Sequence, residues 1–251
     1  MRQAADDSSV SLSALWWAAA FPKVTAEALH RRLYFYGRHP VSCRWLARLP
    51  DEQAVAGWLG LGLLPLERAG FRALPRTADT WVWRRWEKGS AVHAMTKLYL
   101  CCMPEDLPFA LRQVVPVLAH PAVTGFKVGF DLPSVLRPDK FMLYLSDSGA
   151  ADQVAAEIAD AVGPLNVQPL PFTAATSAGP FVTQATDPPD WEGRPVWHEL
   201  ASWRLYVCRL AAETLIASHQ APPQERVAAV LERLHLASVD THCWAWAEGG
   251  R

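Results

Sequence analysis

Three stretches in the middle of the chain set cations and tyrosines at spacings that suit chemistry on a sheet face. The first, K-L-Y-L-C-C, holds Lys97 and Tyr99 two residues apart. Period-2 alternation puts both on one face of a strand. The second, F-K-V-G-F, sets Lys127 between Phe126 and Val128, which then face the other way. The third, R-P-D-K-F-M-L-Y-L, has Arg137 and Lys140 just ahead of an apolar strand, with Tyr144 on the face of Lys140. If these strands are neighbours, one face carries Lys97, Tyr99, Lys127, Lys140 and Tyr144. That face shows several cations and no matching acid. Crowded like charges on a sheet repel unless an anion joins them. Phosphate is the natural guest, because Lys and Arg give it charge-assisted hydrogen bonds. Clustered cations also depress one another's pKa, and a neutral lysine is a competent general base. The plain alternative is a solvated polar face on a one-sided antiparallel sheet.

The elements that must position these residues read as follows. Residues 1 to 9 are polar and expected to be loose, and residues 10 to 75 read as helical. Ser11 or Ser13 caps a helix running to Phe21, Thr25 caps one ending at Gly37, and Asp51 caps one with a Gly-rich end. T-W-V-W-R-R-W-E-K alternates as a strand with Trp81, Trp83 and Arg85 on one side. A turn at Gly89-Ser90 and the strand A-M-T-K-L-Y-L-C-C would make these two a hairpin. A helix from Glu105 to Ala119, the two further strands and a helix ending at Gly163 follow. Residues 164 to 190 show no element and are expected as a packed loop. Helices over Val196–Ser218 and Pro223–Leu236 close the chain. The fold expected is α+β, a small, mostly antiparallel sheet with helices packed on it, preceded by a helical N-terminal region. The division expected is 1–79 for that region and 80–251 for the sheet with its C-terminal helices.

Apolar residues are 51% and charged residues 20% of the 251, a balance that supports a packed core. The net charge of -1 argues against a nucleic-acid coat or a polybasic membrane surface, so any anion site must come from local clustering. Twelve tryptophans imply a Trp-rich core or, on a sharper reading, an apolar groove for a peptide. The five cysteines lack a C-x-x-C and read as thiols of a cytoplasmic protein, with Cys101 and Cys102 on opposite faces of a strand. S-A-L-W-W-A-A-A-F is too short to span a membrane, and Asp6 and Asp7 before it argue against a signal peptide. There is no P-loop, G-x-G-x-x-G, G-x-S-x-G or H-E-x-x-H, and the eight histidines are scattered without an i, i+4 pair.

Together, K-L-Y-L-C-C-M-P-E-D, F-K-V and R-P-D-K-F-M-L-Y-L resemble the core of the phosphothreonine-lyase superfamily over about residues 96 to 145. That superfamily is taken to include the HopA-type effector family of plant pathogens and the lyase domains that dehydrate lanthipeptide and thioamitide precursors. The resemblance implies removal of phosphate from phosphoserine or phosphothreonine by β-elimination, with no metal or other cofactor. It implies Lys127 as the base that takes the Cα proton and Lys97 as a phosphate-binding lysine. It also implies Lys140 and Tyr144 near the phosphate, with Arg137 a further ligand by position. Many members carry K-x-H where this chain has K-x-Y, so Tyr99 stands where a histidine protonates the leaving group. Tyrosine is the weaker acid by ~3 to 4 pKa units. The implied partners are a phosphorylated precursor peptide, engaged through tryptophans and the 164–190 loop, and a separate kinase-like protein. No nucleic acid or membrane partner is implied.

Three readings stay open. A phosphoserine/phosphothreonine lyase requires Lys97, Lys127, Arg137 and Lys140 to converge on one phosphate. A non-catalytic peptide-binding effector or scaffold subunit would keep the sheet with its cations apart or salt-bridged. An unrelated α+β domain would splay them into water.

Overall fold

The computed structural model describes residues 4–21, 24–75, 82–89, 96–187 and 202–247, with side chains from Val10 onward. Its elements begin with α1 (Ala4–Ala19), α2 (Ala26–Tyr34), α3 (Cys43–Arg48), α4 (Glu52–Leu59), β1 (Phe71–Ala73), β2 (Trp83–Lys88) and β3 (Thr96–Leu100). They continue with α5 (Leu107–Val114), β4 (Val123–Gly129), α6 (Leu132–Val135), β5 (Phe141–Leu145), α7 (Ala151–Val162), β6 (Ala174–Thr176) and β7 (Gly179–Thr186). The last are α8 (Trp203–Ala217), α9 (Pro223–Leu236), β8 (Val239–Asp240) and β9 (Ala245–Trp246). Contacts divide the chain into two compact units, one of residues 37–169 with 176–184, the other of 1–36, 170–175 and 185–251.

The second of these units is helical. α2 and α9 lie against α8, burying Leu29, Leu33, Val207, Ala211, Leu215, Val230 and Leu234. Thr25 caps α2 as expected, its Oγ1 accepting from the Ala28 amide at 3.2 Å. α1 departs from expectation. It starts at Ala4, so part of the stretch expected as loose is helical, and Ser11 lies inside it. Ser11 is buried, and its Oγ accepts from the Phe172 amide at 2.8 Å, a tertiary bond in place of a cap. Phe172 has φ 63, left-handed backbone that a side-chain-bearing residue enters only when its surroundings enforce it. Trp203 helps, donating from Nε1 to the Phe172 carbonyl at 2.9 Å.

The other unit is built on a seven-stranded sheet of order β1-β2-β4-β5-β3-β7-β6, confirming the α+β architecture. The β1·β2, β2·β4, β4·β5 and β5·β3 pairs are all antiparallel. The expected β2–β3 hairpin does not form, because β2 pairs with β4 and β3 with β5. β3 is buried along its whole length, so both its edges need backbone partners, and β5 and β7 supply them. The 164–190 stretch contains the β6–β7 hairpin. Its turn uses Gly179 at φ 69, and Asp152 Oδ1 accepts from the Ser177 amide at 2.8 Å. The helix expected to Ala119 stops at Val114, since Pro116 has no amide to continue it, and a 3-10 turn carries on. Trp81, Ser90 and residues 196–201 of the expected helix lie outside the described residues.

One face of this sheet is the core. Trp86, Leu98, Leu100, Cys102, Phe126, Val128, Phe141 and Leu143 pack there with α4, α5 and α7, through Val55, Leu111, Val154 and Ile158. Phe126 stacks on Trp86 at 4.7 Å and meets Phe71 and Phe141 edge-on. A bulge between Val123 and Gly125 lets Val123 face the core beside Leu145 while Lys127 faces the other side. No helix among the described residues is long and apolar enough to cross a membrane.

Candidate functional site

The face away from that core carries the residues singled out in the sequence. Facing residues of an antiparallel ladder share a side, so the registers fix who stands beside whom. Tyr144 faces Lys97 across β5·β3, and Met142 faces Tyr99. Met142 also faces Lys127 across β4·β5, and Lys127 faces Arg85 across β2·β4. Arg85, Lys127, Met142 and Tyr99 therefore form one row, and Glu87, Gly125, Tyr144 and Lys97 the next. Lys97 and Tyr99 are 8% and 1% exposed, so the β3 part of this face is covered, while Lys127, Tyr144 and Arg85 are half-buried. Cys101 continues it, its Sγ 3.6 Å from Thr183 Oγ1, while Cys102 points into the core as the alternation required.

Arg137 reaches the same neighbourhood by another route. The segment after β4 turns into α6 through a capping box, with Asp131 Oδ1 accepting from the Ser134 amide at 2.8 Å and Ser134 Oγ bonded in return to the Asp131 amide at 3.1 Å. Ser134 Oγ and the Phe130 amide both bond Val82 O, at 3.1 and 2.9 Å, tying this segment to the start of β2. Arg137 follows at the end of α6. Its guanidinium carbon stands 4.9 Å from the Trp83 ring centroid, and Lys127 Nζ stands 4.3 Å from the same centroid. One indole thus anchors the base candidate of β4 and the arginine of the loop.

Acids are present, which the sequence pattern did not suggest. Asp139 is buried and takes Arg137 in a two-pronged pair, Nε to Oδ1 and Nη2 to Oδ2, both at 2.7 Å. Glu87 Oε1 pairs with Arg85 Nη2. The expectation of a face without matching acids is corrected, because acid and base meet through tertiary placement that spacing along one strand does not reveal.

Lys140 is fully buried, and its Nζ is bonded to the Cys102 carbonyl and to Gln168 Oε1, the latter at 2.6 Å. Burial pushes this amine below its ordinary value, against smaller opposing effects of the Cys102 and Cys101 thiols. Gln168 Nε2 in turn donates to Gly37 O at 2.8 Å and to Leu136 O at 3.0 Å. The same burial pushes the Cys102 thiol up. The sheet thus brings Lys97, Tyr99, Lys127 and Tyr144 onto one face and Arg137 to its Trp83 edge, while the Lys140 amine points into a buried network. Arg85, Trp83, Asp139, Glu87 and Gln168 were not proposed as site residues. Only the alternation of Trp83 and Arg85 in β2 hinted at them. No group of three or more His, Cys, Asp or Glu among the described residues is placed to hold a metal ion.

No protein-family model matches this chain, and no curated protein matches it. Solved structures do. An effector protein from Pseudomonas syringae pv. tomato strain DC3000 overlays with a TM-score of 0.62 at 13% identity, covering 98% of this chain and 99% of that one. An effector protein from Pseudomonas syringae pv. syringae strain 61 overlays with a TM-score of 0.54 at 16% identity, covering 96% and 98%. A phosphothreonine lyase overlays with a TM-score of 0.41 at 13% identity, covering 73% and 94%. The first two extend over nearly the whole of both chains, so this chain has the fold of these two effector proteins.

Proposed function

We propose that this protein is a metal-independent lyase that eliminates phosphate from phosphoserine or phosphothreonine in a peptide. The observation that carries this reading is the register. Lys97 faces Tyr144, and Lys127 and Tyr99 both face Met142, so four of the six residues singled out by the sequence resemblance adjoin on one sheet face. In the step, Lys127 Nζ takes the Cα proton. The freed electron pair forms the Cα=Cβ double bond as the Cβ–O bond breaks, and the bridging oxygen departs with the phosphate. Lys97, Arg137 and Tyr144 hold the phosphate, and the Tyr99 hydroxyl gives its proton to the leaving oxygen. Trp83 holds Lys127 and Arg137 at a common edge, and Asp139 orients Arg137. Lys140, bonded inward, braces the segment that carries Arg137. The products are a dehydroamino acid and inorganic phosphate.

The chain has no phosphate-binding kinase motif, so a separate kinase-like protein supplies the phosphopeptide in this reading. Maturation of a peptide natural product in the cytoplasm is the setting that the sequence resemblance favours.

A second reading, a peptide-binding effector or scaffold subunit without turnover, is favoured by the Arg137–Asp139 pair and by Tyr99 in place of histidine. Mass spectrometry of a phosphothreonine peptide incubated with the protein separates the two. Loss of the elements of phosphoric acid, giving a product that adds a thiol, is expected with wild type and abolished in Lys127→Ala. A phosphopeptide that binds and is never converted would move the assignment to the second reading.

A further inference from the structure

Arg85 stands directly across the β2·β4 ladder from Lys127. Two cations in facing positions on one sheet face repel each other, and Glu87, paired with Arg85, offsets one positive charge of the two. The guanidinium carbon of Arg85 lies 5.0 Å from the Tyr144 ring centroid, and Tyr144 faces Lys97. Arg85 therefore stands beside Lys127 across the ladder and over the ring of Tyr144, the residue that faces Lys97. Glu87 fixes its Nη2 edge, and its side chain keeps 40% of its exposure. The buried arginines of the helical unit differ. Arg204 and Arg226 direct their guanidinium groups at backbone carbonyls, of Pro171 and Tyr34 and of Ala19 and Leu215, and serve the fold. Arg85 Nε is buried and donates to no protein acceptor among the described residues, as is also true of Arg226 Nε, but Arg85 stands beside Lys127 on the face of the candidate site. A buried donor without an acceptor requires an explanation, and a guanidinium edge matches a phosphate in geometry and charge.

We propose that Arg85 is a phosphate ligand of this site, its guanidinium set by Glu87 and Tyr144 toward the anion that Lys127 and Lys97 also face. The assignment rests on the phosphate-site reading above and not on turnover. Its test is calorimetric titration of the full chain with inorganic phosphate, and with an alanine-based peptide carrying one phosphothreonine or plain threonine. Arg85→Gln is expected to weaken phosphate and phosphopeptide binding tenfold or more and to leave the plain peptide unaffected. Arg85→Lys keeps the charge without the planar fork and is expected to fall between the two, which provides a reading if the glutamine variant folds poorly. Wild-type binding of phosphate in both variants overturns the assignment, as does a wild-type protein that binds no phosphate. Phosphate binding that depends on Arg85 without any elimination would sink the lyase reading and leave this one standing. Elimination alongside unchanged binding in Arg85→Gln would do the reverse.

Discussion

The Lys140 amine is fully buried and donates to the side-chain oxygen of Gln168 at 2.6 Å. Its other acceptor is Cys102 O, so two acceptors meet an amine whose neutral form has two N–H donors. Lys140→Met leaves both acceptors buried without a donor, at a cost of roughly 1–3 kcal/mol each. Urea denaturation of Lys140→Met and Gln168→Leu, alone and combined, is expected to show strong coupling, since the network is shared. Independent, additive effects would contradict it.

The same burial makes stability depend on pH in a defined direction. The native amine is held below 10.5, its ordinary value in the unfolded chain. Between the lowered native value and 10.5 the unfolded chain binds more protons, so stability rises with pH and falls as pH drops through that window. Lys140→Met is expected to remove that part of the slope. Parallel slopes for the two proteins in denaturation at several alkaline pH values would refute this.

Arg137 and Asp139 form a buried two-pronged pair. Asp139→Ala strands a buried guanidinium and is expected to cost roughly 3–5 kcal/mol, with Asp139→Asn milder because it retains one acceptor. Melting temperatures check the order. If Asp139 also orients Arg137 for phosphate, Asp139→Asn weakens phosphate binding by more than its stability loss alone would suggest.

Tyr99 is buried beside Met142, on the row of Lys127. If its hydroxyl protonates the leaving oxygen, Tyr99→Phe lowers elimination by roughly 10²-fold or more. Tyr99→His keeps turnover and adds a bend to the rate profile at about pH 6.5, where imidazole titrates. A phenylalanine variant as fast as wild type would show that phosphate leaves without an acid.

Gly129 has no room for a side chain. A Cβ there would stand 2.7 Å from the Ser134 carbonyl carbon and 2.8 Å from Ser134 Oγ. Gly129→Ala therefore displaces α6 or the end of β4, at roughly 1–3 kcal/mol. Because Arg137 follows α6, the variant is expected to lose phosphate affinity as well as stability. Calorimetry with phosphate and thermal melting read the two separately.

Local rules carried the sequence reading a long way. Thr25, Asp51 and Gly163 mark helix ends because capping is decided within a few residues. The alternation in Thr96–Leu100 and Phe141–Leu145 places Lys97, Tyr99 and Tyr144 on one face because the pleat has period 2. What stayed hidden depended on distant partners. A run of small residues around Ser177 gives no strand signal, and its hairpin is held by Asp152, 25 residues away. Lys140 carries the same charge as Lys127 in the sequence, and only the approach of Cys102 and Gln168 sends its amine inward. Ser11 looked like a cap until Phe172 was found to need its hydroxyl.

The strand order has a consequence for how the chain reaches this state. β2 and β3 are neighbours in sequence, yet β4 and β5 lie between them in the sheet. During synthesis β3, with Leu98 and Leu100 on its core side, emerges well before either strand that will flank it. The β4–α6–β5 segment can close on itself over a short loop, after which β2 and β3 add to its two outer edges. Folding by that route is slowed by the long-range closures it needs. The interval in which Thr96–Leu100 has unpaired edges is when the nascent chain is most exposed to self-association, and a chaperone would protect it best.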